Sequence, residues 1–88
     1  VSLAHRILPI SCDVSDAGQT RSAIEQTIAR WGRIDALVNN AAVVTPGAKI
    51  GDLEPAQWQQ ALDVNLTGAW LMSKWALAHM RAARRGVI

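Results

Sequence analysis

Three polar features interrupt an otherwise apolar chain where side chains of those types can do chemistry. They are Asp13, directly after "ILPISC" (residues 7–12), the pair Asn39 and Asn40 at the end of "DALVNN" (35–40), and Asn65, three residues before Gly68. A carboxylate accepts hydrogen bonds from an exocyclic amine, and a carboxamide both donates and accepts. Asp13 and Asn39 therefore carry the groups needed to hold a nucleotide base and sugar without a metal. Ala41 and Ala42 follow the asparagine pair with almost no side chain, which allows a flat ligand or another strand to approach the backbone. Each feature also has a plainer use: Asp13 as a helix cap, the asparagines as a turn that tolerates left-handed backbone, and Asn65 as a residue facing water. Other chemistries find less support. His5 and His79 lack companion ligands at zinc-like spacing, Cys12 reads as a small apolar filler, and there is neither a "GxSxG" serine nor a phosphate-cradling glycine loop.

The elements that must position these residues are legible around them. "ILPISC" is a short β-branched run whose Pro9 cannot donate to a ladder, so it reads as an edge strand. Asp13, Ser15 and Asp16 are candidate N-caps for a helix over "AGQTRSAIEQTIARW", with Ala17, Ile24, Ile28 and Trp31 on one face and Gly32 suited to the residue just past its end. "IDALVNN" is nearly continuously apolar from Ala36 to Val38, the pattern of a parallel strand covered on both faces. Strand, crossover helix and strand make a βαβ unit, and in open parallel sheets ligands bind outside the carboxyl ends of the strands, where Asp13 and Asn39 both fall.

Pro46, Gly47 and Gly51 then mark a loop, and Pro55 suits the first turn of a second helix. Helical spacing continues through Trp58, Leu62, Leu66, Ala69, Ser73, Leu77 and Met80, with Arg81, Arg84 and Arg85 gathered at its end as a solvated terminus. Gly68 costs this helix about 1 kcal/mol relative to alanine, and Asn65 is also a weak helix former. Together they predict a kink, with close packing of a neighbour on Gly68 as the plainer account. Trp70 and Trp75 lie to the side of the stripe, so the helix over about 56–84 is apolar on more than one face, as in a subunit contact.

Composition narrows the class. With 88 residues, half of them hydrophobic, and a net charge of +2, the chain reads as one small globular unit and not as a nucleic-acid-coating segment. No run approaches the ~18 apolar residues of a membrane span, and the first residues lack the pattern of a signal peptide, so the expected location is cytoplasmic. The chain begins at Val1 without a methionine and reaches "RRGVI", which reads like a strand just beginning. An internal fragment is therefore expected.

Taken together, "CDVSD", "ALVNNAA" and "DVNLTGAW", in this order and at these spacings, resemble the short-chain dehydrogenase/reductase family, and the resemblance spans essentially the whole chain. It implies an α/β fold, part of a Rossmann-like doubly wound parallel sheet, with residues 1–88 as the central part of a single NAD(P)-binding domain holding the third and fourth strands and the start of the fifth. It implies that Asp13 lies beside the adenine of NAD or NADP, with Val14 giving a neighbouring backbone contact. Asn39, Asn40, Ala41 and Ala42 match the family's Asn-Asn-Ala-Gly motif along the adenosine side, with Ala42 where glycine is usual. Asn65 matches the asparagine of the catalytic Asn-Ser-Tyr-Lys set, which helps hold a water in a proton relay to the lysine.

The family's glycine-rich loop and its catalytic serine, tyrosine and lysine have no counterparts in these residues. In a strand order related to 3-2-1-4-5-6, the third and fourth strands are not neighbours. The isolated piece is accordingly expected neither to fold stably nor to bind cofactor. The implied activity of the complete protein is hydride transfer between the nicotinamide and a small-molecule alcohol or carbonyl substrate; a dinucleotide-binding sensor or scaffold without chemistry is the alternative. The implied partner is a second copy, as a homodimer or homotetramer through the long helix, with no nucleic acid and no membrane.

Overall fold

Asp16 starts the first helix by accepting the Gln19 amide on its Oδ1 at 2.9 Å while its own backbone stays extended. The computed structural model describes residues 3–44 and 49–88, and in it α1 runs from Ala17 to Trp31. It ends at Gly32, whose φ of 75° suits a residue without a Cβ. Caps and bounds are those the sequence predicts. The buried face is narrower than predicted: Ala23 and Ile24 are buried and Ile28 half-buried, but Ala17 and Trp31 are exposed. Thr20 joins the buried set because its hydroxyl is satisfied there, with the Asp16 and Ala17 carbonyls at 3.0 and 2.9 Å and the Trp75 indole N–H donating to it at 3.1 Å.

The second helical stretch is opened by a reciprocal cap. Glu54 and Gln57 bond each other's backbone N–H groups, and Pro55 occupies the first position, where its missing donor is harmless. Three pieces then follow without a break: α2 (Pro55–Ala61), a π-helical segment (Leu62–Thr67) and α3 (Gly68–Ala83). The kink predicted at Asn65 and Gly68 is thus a widened turn, in which the Gly68 amide reaches back to the Asp63 carbonyl. The widening also breaks the helical phase. Of the predicted stripe, Met80 is buried, but Trp58, Leu66 and Leu77 are exposed, and Gly68, Leu71 and Ala76 are buried instead. A count at 3.6 residues per turn cannot carry through a turn with a different period.

α3 packs on α1 around Ile24, Ala76 and Met80, with Ile34, Leu37, Met72 and Trp75 against them. Trp75, expected on an outward face, is half-buried between the two helices, bonded to Thr20 and covered by the Arg21 and Lys74 cations at 5.2 and 4.9 Å from its ring. It serves the packing within the chain, and Trp70 is left as the outward tryptophan of α3.

The extended segments are less complete. Ala36 and Val87 form a parallel bridge, with Leu37 N donating to Val87 O at 2.9 Å and Val87 N to Asp35 O at 3.0 Å. The start of the predicted fifth strand therefore lies beside the predicted fourth. Among the described residues this bridge is the extent of β pairing, and residues 7–12, predicted as a strand, join no ladder. A strand exists through lateral bonds to a neighbour roughly 4.8 Å away. Here an open groove of about 380 Å³ lies between Leu8, Ile10 and Cys12 on one side and Ile34, Ala36 and Val38 on the other. Val38, predicted to be covered on both faces, is 82% exposed. The radius of gyration, 15.7 Å, exceeds the ~12 Å of a compact domain of this length. Of the predicted loop residues, Gly51 falls in a 3₁₀ turn (Ile50–Asp52), whereas Pro46 and Gly47 lie outside the described residues. Among the described residues no helix is long and apolar enough to cross a membrane.

Candidate functional site

Asp13 is held by the turn that leads into α1. Its Oδ1 accepts both the amide and the hydroxyl of Ser15, at 3.0 and 2.6 Å, and its amide donates to Gln19 Oε1 at 2.8 Å. The Ser15 hydroxyl, then the Ser15 amide, hold this carboxyl below the usual carboxylate range although it is fully exposed. Its Oδ2 has no partner among the described residues, so an ionised acceptor faces open space. Next to it, burial and then the charges of Asp13 and Asp16 push the Cys12 thiol up, which opposes the thiolate and any nucleophilic use. No cluster of metal-ligating side chains occurs among the described residues.

At the end of the second extended segment, Asn39 donates through Nδ2 to Ser73 Oγ on α3 at 3.2 Å. Asn40, Ala41 and Ala42 are exposed beyond it. Asn65 spends both ends of its carboxamide on one residue: the Val43 amide donates to Oδ1 at 2.8 Å, and Nδ2 donates to the Val43 carbonyl at 3.0 Å. This pair imitates a strand neighbour and ties the segment after the asparagines to the widened turn.

The result is one crevice of about 90 Å³. Val14 lies on one side, Asn39, Asn40 and Ala41 on another, and Val64, Asn65 and Gly68 form its helical wall. Of the residues singled out in the sequence, Val14, Asn39, Asn40, Ala41 and Asn65 line it, whereas Asp13 and Ala42 do not. Val43 and Ser73 were not singled out. Val43 carries no signal in its type, and Ser73, named only as part of the helical stripe, reaches the site through a pairing with Asn39 that spans 34 residues and a turn of altered period.

An exposed carboxylate beside a small crevice lined by carboxamides and near-naked backbone offers both donors and acceptors to a polar ligand. A family model described as short chain dehydrogenase matches residues 2–88. The chain is 37% identical over 84 residues to a cis-4-hydroxycyclohexanecarboxylate dehydrogenase of Sinomonas cyclohexanicum, covering 96% of this chain and 34% of that protein. It is 36% identical over 77 residues to an L-fucose dehydrogenase of Bos taurus, covering 88% of this chain and 28% of that one. A solved metagenomic short-chain oxidoreductase in complex with NADP superposes with a TM-score of 0.80 at 34% identity, over 86% of this chain and 35% of the other. The chain belongs to the short-chain dehydrogenase family. It spans about a third of the length of the relatives it matches.

Proposed function

We propose that residues 1–88 are the middle of an NAD(P)-dependent oxidoreductase that moves hydride between the nicotinamide and an alcohol or carbonyl carbon. The observation that supports this best is the convergence of Val14, Asn39, Asn40, Ala41 and Asn65 on one crevice, with the ionised Asp13 beside it. When bound, the dinucleotide supplies or takes up the hydride. Asp13 would hold the exocyclic amine of the adenine as an acceptor, and Val14 and Asn39 to Ala42 would hold the adenosine through their backbone and carboxamides. The residues fit such a group because the carboxylate is exposed and ionised and the backbone at Ala41 and Ala42 is almost bare.

Asn65 contributes by position. Val43 fixes its carboxamide from both ends, and this holds the main chain of the widened turn in place to meet a relay water. In the full-length protein Asn65→Ala lowers turnover by about 100-fold, within the range of general acid–base contributions, and changes dinucleotide affinity far less. Unchanged turnover in steady-state assays of dinucleotide reduction would sink this role. The isolated 88 residues neither bind dinucleotide nor unfold cooperatively, because the predicted third and fourth strands do not pair with each other.

The exposed outer face of the second helical stretch, with Leu66 at 65% and Trp70 at 59% exposure, is where a second copy of the chain packs. Size-exclusion chromatography with light scattering on the full-length protein and on Trp70→Glu tests this. A wild-type monomer, or a variant that associates as wild type does, refutes it.

A further inference from the structure

Gly68 sits at the junction of the π segment and α3, buried, where a Cβ would lie 2.7 Å from Val14 Cγ2 and 3.1 Å from both Val14 Cβ and Val14 O. Such a Cβ meets the root of the Val14 side chain and its backbone, so the crowding cannot be relieved by swinging a flexible end aside. The loop that carries Val14 is itself tightly bound. Asp13 N is held by Gln19, Asp13 Oδ1 by Ser15, the Asp16 amide by the Asp13 carbonyl at 3.0 Å, and Asp16 caps α1. Pushing Val14 outward therefore moves Asp13 with it. Val14 and Gly68 also line the same crevice, so their spacing sets how far the Asp13 loop stands from the helix carrying Asn65.

We propose that Gly68 is a positioning residue for dinucleotide binding: its missing side chain seats Val14 against the helix and so fixes the Asp13 carboxylate beside the crevice. The weak helix former at this position is then explained by what it admits, and the widened turn before it by the need to aim Asn65 at Val43 while Gly68 faces Val14. The proposal rests on the dinucleotide reading above.

The test uses the full-length protein, with NAD and NADP as probes in calorimetric titration and in steady-state kinetics. Gly68→Ala raises the Kd for the bound dinucleotide by about 10-fold, and its KM for the dinucleotide rises by more than its kcat falls; contacting residues commonly couple at this scale. Val14→Ala, which removes the loop's half of the contact, raises Kd by about 3-fold. Adding Val14→Ala to Gly68→Ala removes Cγ2, the atom nearest the new methyl, and leaves Val14 Cβ and O at 3.1 Å, so the Kd of the double variant falls below that of Gly68→Ala without returning fully to that of Val14→Ala. A role confined to stability would lower the thermal midpoint of Gly68→Ala and leave the dinucleotide Kd of the folded protein unchanged, and that result overturns the proposal. So does a loss that Val14→Ala fails to relieve. If Gly68→Ala does not fold, the Kd of Val14→Ala decides, an unchanged value counting against. A wild-type protein without affinity for either dinucleotide overturns the functional reading instead. The contact is then judged by the coupling of the two substitutions in denaturant unfolding, where simple additivity refutes it.

Discussion

The α1–α3 layer and the extended segments beside it are built from similarly apolar residues but bury them very differently. Ile24 is 2% exposed at the helix contact, whereas Val38, in the run that reads as most deeply buried, is 82% exposed. A helix satisfies its backbone internally, so two helices need only matching faces to make a core. A strand satisfies its backbone sideways, and the segments at 7–12 and 34–38 have an open groove between them instead of a shared ladder. Most of the candidate site residues sit on the less supported of the two regions. Their placement relies on braces from the helices: Gln19 to Asp13, Gly68 to Val14, Ser73 to Asn39 and Asn65 to Val43. The helical layer acts as the frame, and the extended segments present the candidate site residues.

The sharpest way to break this contrast is to cut into both regions of the full-length protein. Ile24→Ala removes a buried side chain from the only core cluster among the described residues and costs about 3 kcal/mol in denaturant unfolding. Val38→Ala costs about 2 kcal/mol in the same protein, because a continuous apolar run of this kind is made for coverage on both faces. A cost below about 0.5 kcal/mol at Val38 would show that the segment stays bare in the whole protein and that the contrast is intrinsic to the fold.

A smaller effect separates packing from hydrogen bonding within the frame. Thr20→Val keeps the shape of the α1–α3 contact but strips the indole N–H of Trp75 of its acceptor, at a cost of about 1 to 2 kcal/mol. If stability is unchanged, the clasp is held by packing and by the Arg21 and Lys74 cations alone.

The same contrast explains what could be read in advance. α1, its Asp16 cap and its Gly32 stop follow from local rules and appear as predicted. The weakness at Asn65 and Gly68 was visible as poor helix propensity, but propensity does not say whether the helix bends or widens, and it widens. The assignment of Trp75 failed because a helix apolar on two faces does not reveal which face meets its own chain. Asn39 with Ser73, and Asn65 with Val43, join residues 34 and 22 positions apart, and only the fold decides such pairs. Coverage of the extended segments depends on lateral neighbours, so the continuous apolar run announces a need for coverage without saying what meets it.

The smallest expected effect probes the exposed side of the contrast through pH. Ser15 favours the ionised form of Asp13 by donating both its hydroxyl and its amide to Oδ1, so Asp13 titrates lower in the folded chain than in the unfolded one. Any stability this gives is fully present above the unfolded titration range and is lost as pH falls through the folded one. The same ordering bears on the proposed ligand contact: wild-type Asp13 keeps its charge, and its acceptor strength, to a lower pH than an ordinary aspartate. Ser15→Ala removes the hydroxyl bond and leaves the amide bond, so the Asp13 midpoint, followed by the chemical shift of its carboxyl carbon, moves upward without passing the ordinary range. The pH at which dinucleotide affinity begins to fall moves up with it, and Asp13→Asn removes that limb of the profile. A midpoint that does not move would mean that the backbone amide alone sets the charge. The hydroxyl would then be free to turn toward a ligand, and Ser15 would belong with the binding groups and not with the frame that holds them.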